Sequence, residues 1–316
     1  MKEESSIMKL PIIDLSAPDR LSTAATLRQA CIEVGFFYIV NHGVDKDLLK
    51  RLFEESNKFF SLPLEDKMKL NRKELRGYTA LYSEKLDPSL NTQGDPKESF
   101  YIGPLHGEVS DLNQWPSEEL LPNWRQVMET YQSQVLRAGK NLLSLLALAL
   151  KLDEKYFENV GALDQPMPFL RLIHYPGGLS GQTDEVLGAS AHSDYGMITL
   201  LATDGVPGLQ VCRDKDHEPR IWEDVLDIEG ALIVNIGDMT ERLTNCLFRS
   251  TLHRVVPKGQ ERYSVAFFLD PANEFSVKCL ETACSESNPP RFPPVRYIDY
   301  LRERFRLTFA SDQEAS

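Results

Sequence analysis

His192-Ser193-Asp194 sets an imidazole and a carboxylate two residues apart. In an extended chain such positions share a face, so both side chains can converge on one point. A further histidine, His253, lies in the strand-like run Ser250-Thr251-Leu252-His253-Arg254-Val255-Val256. Two histidines and a carboxylate form a facial set of ligands that suits Fe(II), covering half an octahedron and leaving positions open. A set so poor in thiolate argues against structural zinc. Nine residues beyond His253 comes Arg262-Tyr263-Ser264, where Arg262 and Ser264 again alternate onto one face. A guanidinium fork beside a hydroxyl can hold a carboxylate. Metal ligands next to such a clamp are what a 2-oxo acid needs, since its keto-carboxylate end chelates and its far carboxylate is held. A lone His-x-Asp arises often by chance, so the combination carries the reading.

These residues require strands to position them, and the second half of the chain supplies strand signals. Brief β-rich runs recur over 169–175, 187–191, 197–202, 208–213, 231–236, 250–256, 262–269 and 275–280. Turn signals such as Pro176-Gly177-Gly178, Asp204-Gly205 and Lys258-Gly259 separate them. Many short strands at that spacing predict a sandwich or closed barrel, a class that includes the jelly roll. The first half reads as helical around one buried strand, Phe36-Phe37-Tyr38-Ile39-Val40, with helices predicted near 45–60, 63–70, 118–151 and 153–159. Residues 71–117 show no steady period, and a loop that long is usually either functional or a sign that elements have been overlooked. A last amphipathic segment, Tyr297 to Arg306, reads as a helix packed on the outside. The expectation is an α+β unit spanning 1–316 as one domain. Its helical N-terminal part runs over about 1–165, the barrel-like core over about 166–282, and a C-terminal segment over 283–316.

Composition excludes several classes. The chain has 316 residues, with 47 acids against 35 bases and a formal charge of −12. Such a chain is repelled by phosphate backbones and anionic surfaces, so neither a nucleic-acid nor a membrane partner is expected. The start, MKEESSIMKLPIIDL, lacks the apolar core of a secretion signal, and the apolar run Leu142–Leu150 is too short to span a bilayer. Five cysteines without a CxxC spacing read as reduced thiols of a cytoplasmic protein.

Taken together, HSD, STLHRV and RYS, preceded by GFFYIVNHGV, resemble the isopenicillin N synthase-like superfamily of 2-oxoglutarate/Fe(II)-dependent dioxygenases from about residue 10 to 306. The resemblance implies a double-stranded β-helix, or jelly-roll, core with Fe(II), 2-oxoglutarate and O2 as reactants. It implies His192, Asp194 and His253 as iron ligands, Arg262 and Ser264 on the distal carboxylate of 2-oxoglutarate, and a hydrogen bond from Tyr175. Many members carry Asn two residues before that Tyr, where this chain has Ile173. Arg171, on the same predicted strand face, is expected either to compensate beside the cosubstrate or to form a structural ion pair.

Within the superfamily the chain is most similar to the plant homoarginine 6-hydroxylase and ethylene-forming enzyme-like group. The similarity lies in Arg76-Gly77-Tyr78-Thr79, Glu84-Lys85-Leu86-Asp87-Pro88, Gly94-Asp95-Pro96-Lys97-Glu98 and His192-Ser193-Asp194-Tyr195-Gly196-Met197. That similarity implies a guanidino amino acid substrate, hydroxylated beside nitrogen so that guanidine is released. A guanidinium needs a carboxylate partner, and Glu84 is the candidate, with Tyr195 as a pocket wall. A solvated Glu84 is the alternative. Two other functions stay open: the same chemistry on a specialised metabolite or hormone, and a non-catalytic metal-binding jelly roll. Of the remaining histidines, His42 reads as a turn residue tying the helical part to the barrel. His174 should face away from Tyr175, and His106 and His217 should be exposed.

Overall fold

β-branched and aromatic runs alternate along the chain with capped helices, and the computed structural model, which describes residues 6–84, 94–107, 109–178 and 187–308, arranges them as follows. The first elements are β1 (Ile12–Asp14), α1 (Arg20–Glu33), β2 (Phe36–Val40), α2 (Lys46–Phe60) and α3 (Leu64–Met68). Next come β3 (Gly77–Thr79), β4 (Glu98–Ile102), α4 (Trp124–Ala149) and α5 (Tyr156–Asn159). The second half opens with β5 (Met167–Tyr175), β6 (Ala189–His192), β7 (Ile198–Thr203), β8 (Leu209–Cys212) and β9 (Trp222–Asp224). It continues through β10 (Leu232–Ile236), α6 (Asp238–Leu243), β11 (His253–Val255) and β12 (Arg262–Asp270). A short pair, β13 (Ser276–Val277) and β14 (Val295–Arg296), precedes α7 (Tyr297–Thr308).

The strands form an eight-stranded sheet, β1-β2-β10-β7-β12-β5-β4-β3, and a four-stranded sheet, β6-β11-β8-β9. All pairings are antiparallel except β1 with β2. This is the expected jelly-roll arrangement of two sheets.

Period-two alternation on β12 separates core from interior. Val265, Phe267 and Leu269 join the main apolar core with Leu142, Leu143 and Leu146 of α4. Each such side chain removed from water contributes roughly 1.5–3 kcal/mol. Gly139 lets α4 come close, because a Cβ there would meet Leu269 Cδ2 at 2.8 Å. The opposite face of β12 carries Arg262, Ser264, Ala266, Phe268 and Asp270. Arg262 on that face reaches the smaller sheet, its Cδ lying 3.6 Å from where a Cβ on Gly208 would sit.

Residues 71–117, which lack a period, contain β3 and β4 and extend the sheet from β5. The apolar period is silent there because Glu98 and Ser99 are buried by polar partners rather than by apolar character. Glu98 accepts from Lys67 Nζ at 2.8 Å, from the Tyr78 hydroxyl, and from His174 Nδ1 at 2.8 Å. His174 faces away from Tyr175, as expected, and stacks on Tyr263 at 4.7 Å. The N-terminal part therefore contributes four of the eight strands of the large sheet besides its helices.

Besides the strand pairings, a histidine and a tight turn tie that part to the barrel. His42 Nε2 donates to Gly230 O at 3.1 Å while its Nδ1 accepts from the Val44 amide at 3.1 Å, which matches the turn role expected of it. At the α1–β2 turn, Gly35 has φ +74°, and a Cβ there would lie 2.1 Å from Arg249 O. Arg249 N donates to Cys31 O at 3.0 Å, and the Thr251 hydroxyl donates to Val34 O. The α1–β2 turn thus holds the segment that leads directly into β11. Among the described residues no helix is long and apolar enough to cross a membrane.

Gly35→Ala combines a left-handed backbone with a backbone clash, so it should lower the unfolding free energy by about 2 kcal/mol or more. Urea denaturation of the metal-free protein reads this, and a loss under about 0.5 kcal/mol would contradict the tight turn.

Candidate active site

β6 ends on His192, β11 begins on His253, and the two pair directly across the ladder. Asp194 follows in the turn after β6. Its Oδ1 lies 3.8 Å from His192 Nε2 and 3.6 Å from His253 Nε2. One ligand atom from each of the three residues falls within 4.8 Å of the others, within reach of one cation.

The surroundings aim these atoms. His192 Nδ1 donates to Ser190 O at 2.7 Å, and His253 Nδ1 donates to Thr251 O at 3.2 Å. A carbonyl can only accept, so each Nδ1 carries the proton and each Nε2 keeps its lone pair inward. Asp194 Oδ2 accepts from Thr199 Oγ1 at 2.5 Å and Asn235 Nδ2 at 2.7 Å, which leaves Oδ1 for the centre. Asp194 O also accepts the amide of Asp238 at 2.8 Å, the first residue of α6, so the bend at Gly237-Asp238 pins the turn. Burial, then repulsion from His253, lowers His192 to about 4 and keeps it neutral at pH 7. Burial pushes the Asp194 carboxyl up, but His253, His192, Thr199 and Asn235 pull it below its ordinary value. An imidazole nitrogen free of its proton and an ionised acid are the states that bind a divalent cation.

A second group of predicted residues lies deeper between the sheets. Arg262 pairs across the ladder with Tyr175, and Ser264 with Ile173. The Arg262 guanidinium sits over the Tyr175 ring at 5.0 Å, and its Nε donates to Val206 O at 3.1 Å. Its Nη1 is buried with no hydrogen-bond partner among the described residues. An unsatisfied buried guanidinium N–H is costly, and an anionic ligand removes that cost.

Two family models match the chain: non-haem dioxygenase in morphine synthesis N-terminal over residues 10–118, and 2OG-Fe(II) oxygenase superfamily over 166–271. Azadirone synthase LFS of Melia azedarach is 40% identical over 98% of this chain and 96% of its own. The chain belongs to the 2OG-Fe(II) oxygenase superfamily. Among solved structures, a full-length Neurospora crassa protein in complex with alpha-KG matches with a TM-score of 0.84 and 27% identity, over 96% of this chain and 99% of that one. JOX2 in complex with 2OG, Fe and JA matches with a TM-score of 0.80 and 30% identity, over 96% and 85% of the two chains.

The protein is thus a 2-oxoglutarate-dependent Fe(II) oxygenase acting on a small molecule, and its site fits both groups: a three-atom ligand face and an unpartnered guanidinium N–H. A pocket opens beside the triad, lined by His192, Asp194, Tyr195, Phe169, Phe268 and Phe305 among others. Tyr195 stands where a pocket wall is expected, edge-on to Phe305 at 6.1 Å. Leu301 and Phe305 of α7 also line it, so the C-terminal helix is part of the site. A larger cleft of about 1410 Å³ between α4, α5 and residues 272–282 contains none of the triad.

Glu84 differs from the sequence reading, which assigns it to a substrate guanidinium or to solvent, whereas Arg171 forms the structural ion pair that is one of its two expected roles. The structure pairs them with each other. Lys97 Nζ lies 3.0 Å from Glu84 Oε2 and 2.6 Å from Asp95 Oδ2, while Ser190 Oγ donates to Asp95 Oδ1 at 2.8 Å. Burial pushes Glu84 up, but Arg171 and Lys97 hold it well below the carboxylate range. Two acids and two bases cancel, so Glu84 is a buried, compensated carboxylate and neither solvated nor free for a guanidinium. Residues 85–88 of the same motif lie outside the described residues.

Sequence reasoning missed Asn235, Thr199 and Asp270. The last could have been found by continuing the alternation of Arg262 and Ser264 along the strand.

Asn235→Ala removes a hydrogen bond that turns Asp194 toward the centre, so metal affinity should fall about 10–100-fold with the fold intact. Fluorescence titration with Fe(II) or Mn(II) tests this, and an unchanged affinity would show that Asn235 does not orient the ligand.

Proposed function

We propose that this oxygenase oxidises a C–H bond of a small, largely apolar metabolite, with His192, Asp194 and His253 as iron ligands and Arg262, Ser264 and Tyr175 as the 2-oxoglutarate clamp. The observation that carries the reading is the inward-aimed triad beside the unpartnered Arg262 Nη1. When bound, Fe(II) and 2-oxoglutarate supply oxidative decarboxylation to succinate and CO2, coupled to insertion of one oxygen atom from O2 into the substrate.

The protein's own contribution is placement. Arg262 and Ser264 anchor the distal carboxylate on the inner face of β12, with the Tyr175 hydroxyl beside them. Arg171, two residues before Ile173 on β5, presents a buried Nε without a hydrogen-bond partner among the described residues. We assign it the cosubstrate contact that Asn provides at position 173 elsewhere, besides its pairing with Glu84. Phe169, Phe268, Tyr195 and Phe305 hold the reacting carbon close to the metal and exclude water. Reduced cysteines fit a cytoplasmic site of action.

The aromatic walls favour a specialised metabolite with an apolar body. A guanidino amino acid needs an uncompensated carboxylate, and Glu84 is already held by Arg171 and Lys97. The similarity to azadirone synthase over nearly the whole chain supports the same choice. A non-catalytic jelly roll would have no use for an intact clamp beside an intact triad.

Anaerobic reconstitution with Fe(II) and 2-oxoglutarate, then O2 and a panel read as succinate, tests the proposal. Terpenoid, flavonoid and alkaloid members should stimulate succinate formation more than homoarginine or arginine. Stimulation by homoarginine alone would reverse the substrate assignment. In parallel, Arg262→Ala should weaken 2-oxoglutarate binding about 10–100-fold, the loss of one charge-assisted pair. An unaltered affinity would remove Arg262 from the clamp.

A further inference from the structure

The inner face of β12 runs from Arg262 through Ser264, Ala266 and Phe268 to Asp270. If the first two bind the cosubstrate, the last lies at the substrate end, because Phe268 and Asp270 line the pocket beside His192 and Asp194. Asp270 is only 6% exposed. One oxygen, Oδ2, accepts from the hydroxyl of Tyr297, the first residue of α7. The other, Oδ1, is buried and has no hydrogen-bond partner among the described residues. It presses on the turn that follows the ligand Asp194: a Cβ on Gly196 would meet Oδ1 at 1.5 Å, so only glycine leaves room for this carboxyl.

Glu84, in the same pocket, is matched by Arg171 and Lys97, whereas no cation pairs with Asp270 among the described residues. Burial accordingly pushes the Asp270 carboxyl up to about 7, with Asp194 adding to the rise and Tyr297 and the Met197 amide opposing it. A purely structural acid that anchors α7 needs only Oδ2. A buried acceptor without a hydrogen-bond partner among the described residues, on a side chain that lines a ligand pocket, carries a desolvation cost that a donor on the ligand would cancel.

We infer that Asp270 is the polar anchor of the substrate pocket, its Oδ1 accepting a hydrogen bond from a hydroxyl or ammonium group on an otherwise apolar substrate. The inference rests on the oxygenase reading and adds to it a chemical requirement: a donor group on the side of the molecule away from the cosubstrate clamp. Because Oδ2 holds Tyr297, the same carboxyl links substrate recognition to the docking of α7, whose Leu301 and Phe305 close the pocket.

The full chain loaded with Ni(II) in place of Fe(II) and with 2-oxoglutarate permits a test without turnover. The probes are benzyl alcohol, benzylamine and benzyl methyl ether, a ring suited to the Phe169, Phe268 and Phe305 walls with a neutral donor, a cationic donor or none. Dissociation constants come from calorimetry or ligand-observed NMR. The wild type should bind at least one donor probe about ten-fold or more tighter than the ether. A preference for benzylamine marks an ammonium substrate, and a preference for benzyl alcohol a hydroxylated one. In Asp270→Asn the carbonyl still accepts from Tyr297 while the pocket-facing atom becomes an NH2, so the preference should vanish. Tyr297→Phe should weaken all three probes alike and leave the preference intact. Equal binding of the probes, binding of none, or a preference that survives Asp270→Asn overturns the assignment. Loss of 2-oxoglutarate binding by the wild type, measured in the same experiment, would instead strike at the oxygenase reading.

Discussion

An imidazole can ligate a metal only through a nitrogen that is free of its proton, and this constraint is met twice in the same way. His192 and His253 each give the Nδ1 proton to the carbonyl two residues upstream. Each of those upstream residues is itself fixed by its hydroxyl, Ser190 to Asp95 and Thr251 to Val34. The orientation of both ligands is thereby transferred to distant parts of the chain: the segment around Asp95 for one, the end of α1 for the other. Asp194 is turned by a different device, two donors on Oδ2 that leave only Oδ1 unengaged. Without those bonds three side chains near one point would be only a cluster of neighbours.

The barrel interior is graded in polarity by the register of two strands. Along β12 and β5 the rungs pair Arg262 with Tyr175, Ala266 with Arg171 and Phe268 with Phe169. A guanidinium at one end, a second cation midway and phenyl rings beyond it grade the interior, and the proposed function uses that gradient to separate a dianionic cosubstrate from an apolar substrate. Main-chain hydrogen bonding sets the spacing of these rungs, so the separation of the two binding regions is as rigid as the sheet. The midway cation is tolerated because Glu84 lies against it, and Lys97 and Asp95 complete a neutral quartet. Removing one member would leave an unpaired buried charge, which costs more than the intact pair returns.

Much of this was legible before any coordinates. His-x-Asp, the downstream His253 and Arg-x-Ser are local patterns whose geometry follows from a two-residue period, and β5, β7, β10 and β12 announce themselves by apolar, β-branched composition. Three things were not legible, each for a physical reason. β4 hides its burial because Glu98 and Ser99 are accommodated by Lys67, Tyr78, His174 and Arg171 instead of apolar neighbours. The Glu84–Arg171 pair joins residues 87 positions apart, a distance at which charge patterning is mute. Asp270 sits at the exit of a strand and before a proline, where an acid reads as an ordinary turn residue; only the strand face it shares with Arg262 gives it away.

The hold of the α1–β2 turn on the segment preceding His253 bears on how far this architecture can be divided. A fragment cut to the stretch from β5 to β12 would keep every ligand to the cation yet lose Val34 and Asp95, the two outside supports of its histidines, together with half the larger sheet. Recombination between relatives would meet the same obstacle, since a crossover placed between the halves exchanges the ligands but not their moorings. The amino-terminal half thus supplies none of the three side chains that could hold an ion, yet it carries the outside supports of both histidines.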